Sequence, residues 1–98
     1  MKVPLHVVDC NQIPSEVEIA RKIDWGVPVD AYLMNAAKVG DRFAASVYLD
    51  RSGASINGMT VATPPVRKVA TVRGFEMVQS VCGSDHYIIV TRLGGSRG

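Results

Sequence analysis

Five consecutive residues, Cys82, Gly83, Ser84, Asp85 and His86, put a thiol, a hydroxyl, a carboxylate and an imidazole into one short stretch. Catalytic groups converge from distant parts of a chain, and consecutive turn residues cannot all face one substrate. The sequence also has no glycine-x-serine-x-glycine elbow, no phosphate-cradling glycine loop and no paired carboxylates at suggestive spacing, so it does not read as an enzyme. His6 and Cys10 stand four positions apart, as do Cys82 and His86. Two cysteines and two histidines suit tetrahedral zinc. These spacings are not those of the tight turns that hold zinc, so Cys10 and Cys82 read as buried, inert thiols, and no metal or cofactor is expected.

A different chemistry is carried by aromatic and basic residues in the first half. Single-stranded nucleic acid is held by aromatic faces on which bases stack, beside cations that follow the phosphates. If residues 29–33 form a strand with Val29, Ala31 and Leu33 inward, Tyr32 faces out. The same alternation in "DRFAASVYLD" (41–50) places Phe43, Ala45, Val47 and Leu49 on one face, with Tyr48 and Arg42 on the other. Lys22 lies on the outer face of the preceding segment, Arg51 lies in the adjoining turn, and Trp25 offers either a stacking surface or the plug of a barrel end. Lys22, Trp25, Tyr32, Arg42, Tyr48 and Arg51 are therefore the expected nucleic-acid-binding set.

The elements that must position them read mostly as strands. "VPLHVVD" (3–9) suits a first or edge strand. Residues 42–60 read as a hairpin turning at "DRSG", and "TPPV" (63–66) interrupts any regular element. "GFEMVQSV" and "HYIIVTRL" flank "CGSD", a second hairpin with Gly83 free to take positive φ. Between residues 15 and 40 two readings stand. Ser15 and Glu18 make a capping-box pattern, Val17, Ala20 and Ile23 share a helical stripe, and Asp30 and Gly40 could bound a second short helix. Two helices there would make an α+β domain, and a helix-turn-helix DNA reader would become conceivable. Alternatively, 17–25 is a strand and "WGVP" a hairpin turn.

The ordered set Asp24, Trp25, Gly26, Pro28 and Asp30, then Val39, Gly40 and Asp41, then Tyr48, Leu49, Asp50 and Gly53 resembles the conserved virulence factor B family. Those bacterial proteins carry repeated RNA-binding OB-fold domains of the ribosomal-protein S-one type. The resemblance covers roughly residues 17–60, with Val29 where the family has a basic residue. It implies the strand reading and a mainly β fold: a small OB-like barrel of about five strands plus a C-terminal β-hairpin. It also implies RNA binding.

Size and composition bound the rest. The 98 residues allow one domain, expected over 1–93 with a frayed tail at 94–98. No apolar run approaches the ~20 residues of a membrane span, and the start does not read as a signal peptide, so a cytoplasmic protein is expected. The net charge of +2 is small but uneven: five basic and seven acidic side chains in residues 1–50, six basic and two acidic in 51–98. A basic second half would favour a polyanion. Val78, Val81, Ile88, Ile89 and Val90 put apolar residues on both faces of the last hairpin, which suggests a second copy packed there. Two functions follow as expectations: non-catalytic binding of single-stranded nucleic acid, RNA ahead of DNA, or a protein-interaction or self-assembly module with no nucleic-acid role.

Overall fold

The computed structural model describes residues 13–94. One helix, α1 (Ser15–Arg21), precedes six strands: β1 (Ala31–Val39), β2 (Arg42–Tyr48), β3 (Thr60–Ala62), β4 (Val66–Val72), β5 (Phe75–Ser80) and β6 (His86–Ile89). They form one sheet in the order β3-β2-β1-β6-β5-β4. The central β1–β6 pair is parallel and the other four pairings are antiparallel. The strand expected at residues 3–9 lies outside the described residues.

Residues 15–21 are helical because Val17 and Ala20, three positions apart, both find full burial on the sheet. Glu16 and Glu18 in the first turn and Arg21 in the last suit the helix dipole. The Glu18–Arg21 pair, at 3.1 Å, is a further small contribution. The capping box does not form. Pro14 is the N-cap and Ser15 is already helical, bonding only its neighbour Glu16. The second helix does not form either, since residues 31–39 pair with strands on both sides. Gly40, at φ +63°, makes the two-residue turn that leads into β2.

The expected OB-like barrel is overturned. In a barrel the ladder returns to its first strand, whereas here β3 and β4 are the two edges of an open sheet. The "DWGVPVD" stretch, expected as a hairpin turn, joins a helix to a strand. Asp24 accepts the Gly26 N–H at 3.0 Å, and Gly26 takes φ +78°. With a helix where the resemblance requires a strand, and an open sheet where it requires closure, the likeness to the virulence factor B domains does not extend to the fold.

The open sheet is nevertheless strongly coiled. Only Thr63, Pro64 and Pro65 link edge strand β3 to edge strand β4. Four Cα steps reach at most ~15 Å, while six flat strands would hold their edges about 24 Å apart. The corner is tied by the Val66 N–H to the Asp41 carbonyl, at 2.8 Å, and the Thr63 N–H to the Phe43 carbonyl, also 2.8 Å. Bulges between Met34 and Ala37 in β1 and between Lys68 and Ala70 in β4 bend the strands that carry the coil.

Each face of the sheet has its own apolar cluster. Leu33, Phe43, Ala45, Val47, Val66, Val78 and Ile89 fill one, and Val61 from the opposite edge strand packs against it, so this is the concave side. Val17 and Ala20 of α1 cover the other, on Tyr32, Phe75, Met77, Ile88 and Val90. Four of the five apolar residues of the last hairpin, Val78, Ile88, Ile89 and Val90, are thus buried within the chain, while Val81 stays 63% exposed. Leu49 departs from the expected alternation. At φ +57° it leaves the row of Phe43, Ala45 and Val47 and joins the helix-covered cluster.

Candidate anion-binding site

The coil gives the concave side two open ends, and charge divides between them. At the end where β1 and β6 begin, Asp30, Asp50 and Asp85 surround a cavity of about 300 Å³ with Ala31, Val47, Val61 and Tyr87. At the other end, Lys38, Arg67, Lys68 and Arg92 surround a cavity of about 190 Å³, with Phe43, Val66 and Val78 beneath and Glu76 beside them.

Two of the three carboxylates of the first end, Asp30 and Asp50, are occupied. Asp30 accepts the His86 N–H at 2.8 Å through one oxygen and meets Arg51 at 3.4 Å through the other. Asp50 accepts the N–H groups of Ser52, at 3.0 Å, and Ser55, at 2.9 Å, and the Ser52 hydroxyl at 2.9 Å. Its slight burial works against ionisation, but the Ser52 and Ser55 bonds outweigh that and hold its carboxyl below the ordinary value. Burial first, then the negative field of Asp85 and Asp30, pushes the Tyr87 phenol up to about 12. These groups tie loops together; they are not waiting for a partner.

The second end is built by strand irregularity. At the β1 bulge Asn35 takes φ +55°, and its N–H bonds the Thr91 hydroxyl at 2.8 Å. Past the bulge the chain after β6 runs parallel beside Ala36, whose N–H bonds Thr91 O and whose carbonyl accepts the Leu93 N–H, each at 2.9 Å. Arg92 is thereby laid over the Phe43 ring at 4.9 Å, a cation–π contact. Its Nη2 bonds Glu76 at 2.8 Å, while its Nε is buried with no hydrogen-bond partner. Lys38 comes from the end of β1, and Arg67 and Lys68 from the exposed edge strand β4. Among the described residues no carboxylate pairs with Lys38, Arg67 or Lys68.

The six residues expected from sequence do not assemble into one face. Tyr32 and Tyr48 are cross-strand partners, brought opposite by the one-residue register shift at the β1 bulge, but Tyr32 is only 8% exposed within the helix-covered cluster and Tyr48 packs against it. Burial raises the Tyr32 phenol above its ordinary value, against the opposing field of Arg21. Trp25 packs on the same cluster and donates its indole N–H to the Ala20 carbonyl at 3.1 Å, capping a helix end. Lys22 is exposed at the C-cap of α1. Arg51 is paired with Asp30 at the acidic end. Only Arg42 lies at the basic end, where it donates to the Thr63 carbonyl at 3.3 Å.

Lys38, Arg67, Lys68 and Arg92 were missed. The signal for Arg67, Lys68 and Arg92 was the basic excess of residues 51–98, which gives no position without the topology, and Lys38, in the net acidic first half, had none. The zinc constellation is not tested as a whole, because His6 and Cys10 lie outside the described residues. Cys82 is exposed in the β5–β6 turn, contrary to the buried thiol expected. No group of three or more potential metal ligands exists among the described residues, and no helix among them is long and apolar enough to cross a membrane. No protein family, no curated protein and no solved structure matches the chain.

Proposed function

We propose that the chain is a non-catalytic binder of single-stranded nucleic acid, RNA ahead of DNA, which seats the phosphate backbone on the basic end of the coiled sheet. The observation that supports this is the convergence of Lys38, Arg67, Lys68 and Arg92 on one cavity that holds a single carboxylate. Cations brought together from β1, β4 and the segment after β6 are a fold-built concentration of charge, and the attraction of such a patch for phosphate rises as counterions are released. Stacking has a smaller part than the sequence suggested, because Tyr32, Tyr48 and Trp25 are engaged with α1 and its cluster.

The test is a fluorescence-anisotropy titration of a labelled, mixed-sequence single-stranded RNA at low and moderate salt, with wild type and the Arg67→Ala/Lys68→Ala variant. Micromolar binding that weakens steeply with salt and is reduced in the variant is expected. Absence of binding at low salt, or binding indifferent to both cations, overturns the proposal. Size-exclusion chromatography of the same samples separates RNA binding by one copy from self-association.

A further inference from the structure

Resting on the reading that phosphate docks at the basic end, we infer that its cavity is an end-recognition pocket for a phosphate monoester, with Arg92 as its anchor. Charge decides between the two forms of phosphate. An internal phosphodiester carries one negative charge and two free oxygens. A monoester carries close to two charges at neutral pH and three acceptor oxygens. Glu76 already answers Arg92, which leaves Lys38 and Lys68, on the cavity's face of β1 and β4, and their neighbour Arg67 uncompensated among the described residues. More than one unanswered cation matches a dianion better than a monoanion.

Geometry agrees. At about 190 Å³ the cavity offers room for a single phosphate group over a floor of Phe43, Val66 and Val78. The guanidinium is pre-positioned from two sides, by the Phe43 ring at 4.9 Å and the Glu76 carboxylate at 2.8 Å. The Arg92 side chain keeps 35% of its surface exposed, and a bond from the accessible part of a guanidinium to an incoming phosphate oxygen is of the strong, charge-assisted kind.

The monoester has two possible sources, the terminal phosphate of a strand and a free phosphorylated small molecule. The experiment uses the full chain and four probes: one RNA decamer with a 5′-phosphate, the same decamer with a 5′-hydroxyl, the same decamer with a 3′-phosphate, and a nucleoside monophosphate as competitor. A preference of about tenfold for one phosphorylated decamer over the hydroxyl form is expected, equivalent to one charge-assisted contact set. Lys68→Ala, on the exposed edge strand, should weaken all three decamers and remove most of that preference. Arg92→Lys, which keeps the charge but loses the fork, should reduce the preference too.

Equal affinity for all three decamers overturns the pocket while leaving nucleic-acid binding standing. Direct binding of the monophosphate, read by calorimetry, with no decamer bound, keeps the pocket and overturns the nucleic-acid reading. A preference that survives both Lys68→Ala and Arg92→Lys overturns the assignment of the pocket to these residues.

Discussion

The two ends of the coiled sheet use charge in opposite ways. Asp30 and Asp50, at one end, are saturated with backbone N–H groups, a hydroxyl and the Arg51 guanidinium, so their charge holds loops in register. At the other end Lys38, Arg67 and Lys68 have no acidic partner among the described residues, and Arg92 has one donor unmet. Both are charged cavities of modest size on the same concave side. What separates them is whether neighbouring groups already satisfy the charge. Satisfied charge contributes to stability, and the unsatisfied charge is where the proposed phosphate would dock.

The largest effect expected from this contrast is on stability. Asp30→Ala removes the acceptor of the His86 N–H and the partner of Arg51, and should cost about 2 kcal/mol, the cost of a lost hydrogen bond plus a stranded donor. Lys68→Ala, exposed and unpaired, should fall within ~0.5 kcal/mol of wild type. Urea unfolding of both variants checks this. Equal losses would mean that the two ends do not differ as their hydrogen bonding indicates.

Next comes binding. Arg67→Ala/Lys68→Ala should lower RNA affinity about tenfold and flatten the logarithmic salt dependence by roughly 1.4, the value for two lost phosphate contacts on a single strand. Asp50→Asn should leave both unchanged. The two ends are separated by most of the length of β2, roughly 20 Å, well beyond the ~8–10 Å over which charge is felt at physiological salt. If Asp50→Asn shifts the slope as much as the double variant, the ligand reads the field of the whole molecule and not one end.

How much of this could be read in advance depended on range. The β5–β6 hairpin, its Gly83 turn (φ +88°) and the inward row of Phe43, Ala45 and Val47 follow from alternation and turn chemistry, which are local. Residues 15–40 fit helix and strand patterns alike, and each pattern holds over part of the stretch: 15–21 is the helix and 31–39 the strand. Local patterns could not decide, because Val17 and Ala20 become helical by docking on strands some fifteen or more positions away. The barrel failed for a related reason. Sheet closure depends on whether edge strands pair, and β3 and β4 meet only through Thr63–Pro65. The basic end was illegible because its cations are spread from position 38 to position 92 and meet only through a parallel β1–β6 contact and a bulge.

The acidic end also makes a prediction in alkali. Tyr87 ionises at about 12 in the folded chain, through burial and the field of Asp85, Asp30 and Asp50, against about 10 when unfolded. The raised value means that the folded state holds its proton longer. Stability from this group is therefore fully present below about pH 10 and is lost as pH rises through 12. The raised Tyr32 adds to the loss in the same direction. Tyr87→Phe should flatten the fall in unfolding midpoint between pH 10 and 12 without abolishing it. An unchanged slope would remove Tyr87 from the influence of the three aspartates.

The smallest effect is at Cys82, in the turn that enters the acidic end. Its thiol lies within 3.3 Å of the Ser80 hydroxyl and 3.1 Å of the Ser84 hydroxyl. These bonds draw it down to about 7, against the opposing field of Asp85. Short-range hydrogen bonds thus outweigh a carboxylate at the very end where carboxylates gather. In a Cys10→Ser background, the rate of alkylation by iodoacetamide should rise with pH along a curve centred near 7. Ser84→Ala should move that centre upward, and Asp85→Asn should move it slightly downward. The relative size of the two shifts is the informative quantity. A larger shift from Asp85→Asn than from Ser84→Ala would mean that the field of the acidic end is felt beyond the bonds that saturate it, and the two ends would then differ in sign of charge rather than in its availability.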